Sequence, residues 1–506
     1  MSTSLDLSTD PTAPGLHWPE VRAWLGDHAE HLLDDRALLE ELGLAATGRN
    51  VVDFGRAALA RLEAVAQREA GARKLIEEIA RANFAAQTQT HVATLDLMEA
   101  RTHVELARHL DAVAQGRFGL AGAAVPSADC VALSLERMTG IEEIDPAAAT
   151  MTVRAGTPLE TVQKAADEAG FFMPLDLGAR GSCAIGGNLS TNAGGNRVIR
   201  YGMARDMVLG LEVVLPDGTI IRSLNKMLKN NAGYDLKQLF LGSEGTLGII
   251  TRAVLRLFPK PGCTMVALCA LPSYDCTVQF LGAARRGLGP LLSAFEVMWP
   301  DYWQVVTRQI PGVRNPIPGE HASYVLVEAQ GMEEAIDAPR FQSWLEAQAE
   351  AGLLANAAVS QSLADIRAFW GVRDACAEFV QVLGPHESFD IGLPVARMDE
   401  YVRACKAALE ERLPGVVALF YGHIGDGNMH IVSFLPGAPT QPKRVIQDVV
   451  YDTVRLFGGT ISAEHGIGLT KKSWLGYVRS DAELDLMHRL KTALDPQRLL
   501  NPGKVL

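Results

Sequence analysis

The chain has 506 residues, 48% of them hydrophobic and 21% charged, which is material for two or three domains with sizeable cores. A formal net charge of −12 argues against nucleic acid or anionic membrane as a main partner, so an anionic substrate would need a local basic pocket. The scattered cysteines, Cys130, Cys183, Cys263, Cys269, Cys276, Cys376 and Cys405, form no Cys-x-x-Cys pair, which argues against a disulfide scaffold or a thiolate zinc site.

Residues 1–16 are polar and proline-containing and read as a disordered lead-in. They lack a basic-then-apolar signal pattern, and no uninterrupted apolar run is long enough to cross a bilayer; the expectation is a soluble, cytoplasmic protein without a transmembrane segment. Residues 17–118 read as helices, because no proline occurs from Val21 to Val125 and Leu59, Leu62, Val65, Leu75, Ile76 and Ile79 recur at helical spacing. Such a segment either packs on its own domain or pairs with a second copy as a homodimer.

Past the junction Gln115–Pro126, Cys130–Leu135 and Thr150–Arg154 read as strands and Leu159–Ala169 as a helix. Pro174–Gly195 follows, PLDLGARGSCAIGGNLSTNAGG, dense in Gly, Ser, Asn and Thr. Glycines let backbone amides approach a ligand closely; the same composition also makes a run of surface turns. Val208–Leu215 and Thr219–Arg222 form a hairpin about Pro216-Asp217-Gly218, and a second glycine cluster, Gly242–Gly248, runs into the strand Ile249–Leu257. Neither G-x-G-x-x-G nor a phosphate loop ending in Gly-Lys-Ser/Thr is present, so a nucleotide bound here would sit in some other fold.

From Thr264 strands and helices alternate: strand Thr264–Leu271, helix Cys276–Arg286, strand Leu292–Met298, a polar span, strand Ser323–Glu328, and helices Pro339–Ala351 and Leu363–Leu383. The pattern is that of an α+β domain with helices on an antiparallel sheet. The strands Val416–Tyr421 and Met429–Phe434 flank a Gly-Asp-Gly-Asn turn, with His423 and His430 near its base, and Glu464-His465 lies in a loop after Gly458-Gly459. Either histidine alone suits a structural hydrogen bond. Two histidines and a carboxylate with open positions suit Zn²⁺ or a similar divalent ion. Asp426 reads as a turn-maker, and the basic pair Lys471-Lys472 as solvated.

The strings DLGARGSCAIGGNLSTNAGG, RYGMARDMVLGLEVVLPDG, KNNAGYDLKQLFLGSEGTLGIIT, GHIGDGNMH, SAEHGIG and NPGK occur in this order. They resemble the FAD-linked oxidases of the vanillyl-alcohol-oxidase type, in the branch of the D-2-hydroxyglutarate, D-lactate and glycolate dehydrogenases. The resemblance covers about Gly119 to Leu506. It implies an α+β fold: a two-lobed FAD-binding domain (119–260), a ferredoxin-like α+β cap (261–460) and a C-terminal segment (461–506) returning to the FAD domain. It implies FAD contacts from Gly178, Ser182, Gly186, Gly187, Asn188, Thr191, Gly194, Glu244, Gly248, Ile250 and Asn501. Metal ligation by His423, His430 and Glu464 is implied too, with His465 as the base. The implied reaction oxidises a D-2-hydroxy acid to the 2-oxo acid, with hydride passing to the flavin and electrons then to an electron-transfer flavoprotein, a quinone or oxygen. Arg373 would clamp the substrate carboxylate through two parallel hydrogen bonds, or else form a surface salt bridge with Asp374 or a nearby acid. Where the D-2-hydroxyglutarate branch carries Thr, Lys and Asn, this chain has Ala377, Ser388 and Val432, which fits a smaller or more apolar acid at least as well as the five-carbon diacid.

The front of the chain resembles something else. VRAWLGDHAEHLLDDRALLEELGL and the helical strings up to Val125 are similar to an uncharacterised bacterial family with a helical part leading into a GAF-like half. A fusion that replaced the first FAD lobe is expected. It would leave a sheet edge uncovered near Val131 and remove backbone donors from the FAD diphosphate. In the alternative, non-catalytic reading the helical segment is the working part, a dimerising or partner-binding module.

Overall fold

The computed structural model describes residues 130–506 together with Ala23, Asp27 and Ala37. The lead-in, the helical segment and its proposed pairing, and the site of the first FAD lobe lie outside them. Residues 130–506 fall in the second of the two units into which the chain divides. Among the described residues no helix is long and apolar enough to cross a membrane.

The first seven strands are β1 (Ile141–Asp145), β2 (Thr150–Arg154), β3 (Phe171–Phe172), β4 (Val208–Val214), β5 (Ile220–Ser223), β6 (Ile249–Arg256) and β7 (Phe258–Pro259). Five of them form an antiparallel sheet in the order β1-β2-β6-β4-β5, and β3 pairs with β7. Leu159, Val162 and Ala166, at helical spacing on Leu159–Glu168, bury against Met151 and Val153 of β2 and Ala253 and Leu255 of β6. The helix Ile185–Ser190, inside the first glycine stretch, adds Ile185 and Leu189 to this core. The hairpin about Pro216-Asp217-Gly218 is present, with Gly218 at φ +85° and the Asp217 carboxylate accepting from the Thr219 amide.

One expected strand is misplaced. Cys130–Leu135 is irregular, with Val131 95% and Leu133 66% exposed, and the partner of Thr150–Arg154 is Ile141–Asp145. A tight connection decides it: Asp145 sits opposite Thr150, its carboxylate accepts from the amides of Ala147 and Ala148, and Ala149 takes φ +50°. The sheet edge expected near Val131 therefore falls on β1, which carries Glu142 and Glu143 in ion pairs with Arg154, Arg252 and Lys226; charge is the ordinary protection of an edge.

The other seven strands are β8 (Cys263–Leu271), β9 (Leu292–Met298), β10 (Ser323–Gly331), β11 (Asn356–Val359), β12 (Glu387–Gly392), β13 (Val417–Gly422) and β14 (Asn428–Phe434). They form one antiparallel sheet in the order β11-β8-β10-β9-β13-β14-β12. Its first four strands stand in the ferredoxin-like arrangement, the chain's fourth, first, third and second strands side by side. Helices Tyr274–Gly287, Glu334–Glu350, Met398–Arg412 and Lys443–Leu456 cover one face. Part of the opposite face is covered by Pro300–Gln309 and Leu363–Asp374. The first of these was read as a polar span, yet Tyr302, Trp303 and Val306 bury one stripe of it and Trp303 stacks on Tyr324 at 3.9 Å. The expected helix Leu363–Leu383 ends at Asp374, and a 3₁₀ turn separates it from Phe379–Val382.

The rest of that second face meets the segment between β3 and β4. Arg197 links Asp176 at 3.0 Å to Glu328 of β10 at 3.1 Å, and Gly425 lies so close to Ile199 that a Cβ there would fall 2.7 Å from its Cδ1. Near the C-terminus Asn501 Nδ2 donates to the Glu244 carbonyl at 2.6 Å and Lys491 Nζ to the Thr246 carbonyl at 2.8 Å.

Candidate active site

Side chains alternate along a strand, so Asn428, His430 and Val432 of β14 share one face. Cross-strand pairing sets Asp390 of β12 beside His430 and Ser388 beside Val432. On the other side Tyr421 of β13 pairs with His430 and with Met298 of β9, which puts Glu296, two residues before Met298, on the same face. This is the face turned toward the segment between β3 and β4, and its polar groups converge.

His423, His430 and Glu464 each offer a ligand atom, all within 4.8 Å of one another. His423 Nδ1 lies 2.8 Å from Glu296 Oε1. Burial pushes the Glu296 carboxyl up, but His423 and Arg373 override that and hold it below the usual range. An ionised carboxylate only accepts, so Nδ1 carries the hydrogen and Nε2 turns a lone pair inward. That Nε2 is 3.2 Å from His430 Nε2 and 3.7 Å from Glu464 Oε1. Burial, with His423 and Arg373 adding to it, keeps His430 neutral and far below its ordinary pKa. Two facing imidazole nitrogens and a carboxylate, with Glu296 behind as orienting partner, form a donor set that fits a divalent cation. Burial also works to lower the His423 pKa, but Glu296 outweighs it and the net direction is up.

Arg373 is 5% exposed, and surface pairing with Asp374 does not describe it. Its Nε donates to Glu296 Oε2 at 2.9 Å, Nη2 lies 3.1 Å from His423 Nε2, and Asp374 is 3.7 Å from Nη1. His465 stands alongside His430, ring centroids 6.0 Å apart, with Nδ1 3.0 Å from Asp390 Oδ1. Asp390 is fully buried. Its Oδ2 accepts from the amides of Ala463, Glu464 and His465 at 3.0, 2.7 and 2.9 Å, and Lys471 pairs with its Oδ1. Burial raises this carboxyl, but His465 and Lys471 drive it well below the usual range. Lys471 is thus buried, against the expectation of a solvated pair, while Lys472 remains exposed and donates to the carbonyls of Gly503 and Leu506. Asp426 keeps its turn role, exposed and accepting from the Asn428 amide at 3.1 Å, with partial desolvation pushing its carboxyl up to about 6.

The glycine loop reaches this cluster. The Gly195 amide donates to Glu464 Oε1 at 3.0 Å, and a Cβ on Gly194 would fall 2.7 Å from the same oxygen. Gly178 and Gly187 are exposed and present bare backbone to open space. Ser182 is exposed too, and the Thr191 hydroxyl donates to the Gly187 carbonyl at 3.2 Å. Gly186, Asn188, Gly248 and Ile250 lie in the interior of the flavin-side unit: a Cβ on Gly186 would meet Ala155 at 2.6 Å and one on Gly248 would meet Val213 at 2.6 Å. Glu244, in a left-handed conformation at φ +52°, turns its carboxylate to the amides of Ile467 and Gly468 at 2.7 and 2.8 Å and so ties the His465 loop to the second glycine cluster. Glu296 and Asp390 escaped the sequence reading. The signal was there: Glu296 is the one ionisable residue in LSAFEVM, a strand buried at every position, and Asp390 sits in the buried half of ESFDIG.

Residues 260–505 match the family described as FAD linked oxidases, C-terminal domain. Residues 103–223 match an FAD binding domain, and 12–136 a protein family of unknown function, DUF484. The last two matches overlap over 103–136, where the two resemblances were expected to join. A probable mitochondrial D-2-hydroxyglutarate dehydrogenase of Oryza sativa subsp. indica is 40% identical over 401 residues, 79% of this chain and 71% of that protein. A D-2-hydroxyglutarate dehydrogenase of Xanthomonas citri pv. viticola is 40% identical over 395 residues, 77% of this chain and 82% of that protein. Among solved structures, 4-ethylphenol oxidase from Gulosibacter chungangensis superposes with a TM-score of 0.59 at 18% identity, covering 79% of this chain and 86% of that one.

Proposed function

This chain belongs to the FAD-linked oxidase family, and from that premise we propose that it oxidises a D-2-hydroxy acid to the 2-oxo acid at a site combining FAD with a divalent metal ion. The observation that carries the reading is the convergence of His423, His430 and Glu464 within 4.8 Å directly against the amide of Gly195. FAD when bound supplies the hydride acceptor, and a divalent ion on His423, His430 and Glu464 supplies a Lewis acid that lowers the pKa of a coordinated hydroxyl.

The chain's own groups do the rest. His465, its Nδ1–H fixed on Asp390, keeps Nε2 free to take the substrate's hydroxyl proton. Asp390 also gathers three successive amides of the same loop, so the base and the ligand Glu464 are positioned together. Arg373, whose Nη2 lies 3.1 Å from His423 Nε2, would clamp the substrate carboxylate with its guanidinium beside the group that would hold the ion. The glycine stretch, with Gly178, Ser182, Gly187, Thr191 and Gly194, would hold the flavin, and Asn501 donating to the Glu244 carbonyl holds the tail against the second glycine cluster.

The names of the relatives make D-2-hydroxyglutarate the first substrate to test. A shorter or more apolar acid is favoured by one observation: Val432 is 3% exposed within a cluster that includes Tyr421, Tyr302 and Phe434, and its cross-strand partner is uncharged Ser388. Anaerobic mixing of the FAD-loaded protein with D-2-hydroxyglutarate, D-lactate and their L-enantiomers tests the reading. Bleaching of the flavin by a D-acid is expected; no bleaching by any of them would remove it. Reoxidation by electron-transfer flavoprotein, quinone or oxygen then assigns the acceptor.

A further inference from the structure

Among the described residues Asn428 is the one side chain with two buried polar atoms and no partner for either, Nδ2 and Oδ1. It is 4% exposed. Its backbone is satisfied, the amide donating to the Asp426 carboxylate at 3.1 Å. Burying a primary amide with neither donor nor acceptor engaged is costly in a folded protein, so a missing partner is indicated. Asn428 opens β14 two residues before His430, on the same face of the sheet. The turn that precedes it packs on the flavin-side unit at Ile199.

We infer that Asn428 is a flavin-binding residue whose carboxamide pairs with the C(=O)–NH edge of the isoalloxazine pyrimidine ring, an inference that rests on the FAD reading above. The chemistry of the vacancy selects this partner. An amide with both ends open is matched by a group presenting an acceptor and a donor side by side. A substrate carboxylate or 2-oxo group offers acceptors only and would leave Oδ1 unpaired. The adenine of FAD also presents such an edge, but the reacting ring must lie next to the hydroxyl-binding cluster for hydride to pass, and Asn428 shares its strand face with that cluster.

Asn428→Leu removes both polar atoms while nearly keeping the shape, and it tests the assignment with readouts other than turnover. The metal-free, FAD-free variant should unfold at a higher temperature than the wild-type apoprotein, because an apolar replacement removes the unpaired groups. Its FAD affinity, by quenching of flavin fluorescence, should fall by about tenfold or more. The visible spectrum of the flavin that still binds should shift, since ring hydrogen bonds tune it. Asn428→Asp, which keeps one acceptor but adds a charge, should move the flavin potential to more negative values. Wild-type protein that binds no FAD would overturn the FAD reading and this inference with it. Wild-type protein that binds FAD beside an Asn428→Leu variant with equal affinity and an identical spectrum would overturn this inference alone. Weaker FAD binding with an unchanged spectrum would place Asn428 on the adenine, and a change in substrate KM alone would place it on the substrate; either result contradicts the pairing proposed.

Discussion

His423 and His465 both rest on buried carboxylates, and the two pairs are built for different work. His423 leans on Glu296, which is otherwise held by Arg373 alone; its free nitrogen faces other ligand atoms. His465 leans on Asp390, which is held by three backbone amides and Lys471; its free nitrogen stands beside the cluster and not in it. The first pair fixes a tautomer for coordination. The second fixes a loop, and with it a base. Side-chain partners allow a carboxylate to adjust as an ion comes and goes, whereas backbone partners make it part of the fold.

Removing the base should give the largest effect. His465→Ala should slow single-turnover flavin reduction by about 10²–10⁴-fold while FAD and metal contents stay at wild-type levels; a change in metal content would erase the distinction between the pairs. Asp390→Asn should come next and act on stability, because removing one partner of a buried pair costs about 3–5 kcal/mol. The sign with pH follows from its depressed pKa. Its stabilisation is complete above the unfolded value of about 3.9 and is lost as pH falls through the lower folded value. Urea titrations should therefore show a constant gap between wild type and variant from neutrality down to about pH 4, closing below it.

Glu296→Gln should act on the other pair, weakening divalent-metal affinity by about 10–100-fold with a smaller change in reduction rate at saturating metal. Acidification should weaken metal binding too, since Glu296 raises the His423 pKa and a proton taken up at Nε2 competes with the ion for that lone pair. The smallest effect is expected at the pocket wall. Ser388→Lys, at an exposed position, should lower KM for D-2-hydroxyglutarate relative to D-lactate by about fivefold at most, the scale of an exposed ion pair.

What the sequence disclosed follows the same division. His423, His430, Glu464 and His465 announce themselves because imidazoles in Gly-rich turns have few bland uses, and the structure brings them together. Glu296 and Asp390 lie inside apolar strands, where a single acid gives no period and no motif; only the pairing of β9 with β13 and of β12 with β14 brings them to the site. Most strands and helices were legible from apolar runs and turns. Cys130–Leu135 was mistaken because an apolar run alone does not say which neighbour closes a hairpin, and Asn356–Val359 was missed because four exposed or half-buried residues on an edge carry no burial signal. Pro300–Gln309 was hidden by polar residues between its buried aromatics.

The most direct measurement is anaerobic flavin reduction by a D-2-hydroxy acid in wild-type protein and in Glu464→Gln, each with matched FAD content, before and after chelation and readdition of metal. The account predicts that chelation abolishes reduction in the wild type, that readdition restores it, and that Glu464→Gln behaves as the chelated protein does. Equal reduction rates in all of these samples would contradict it.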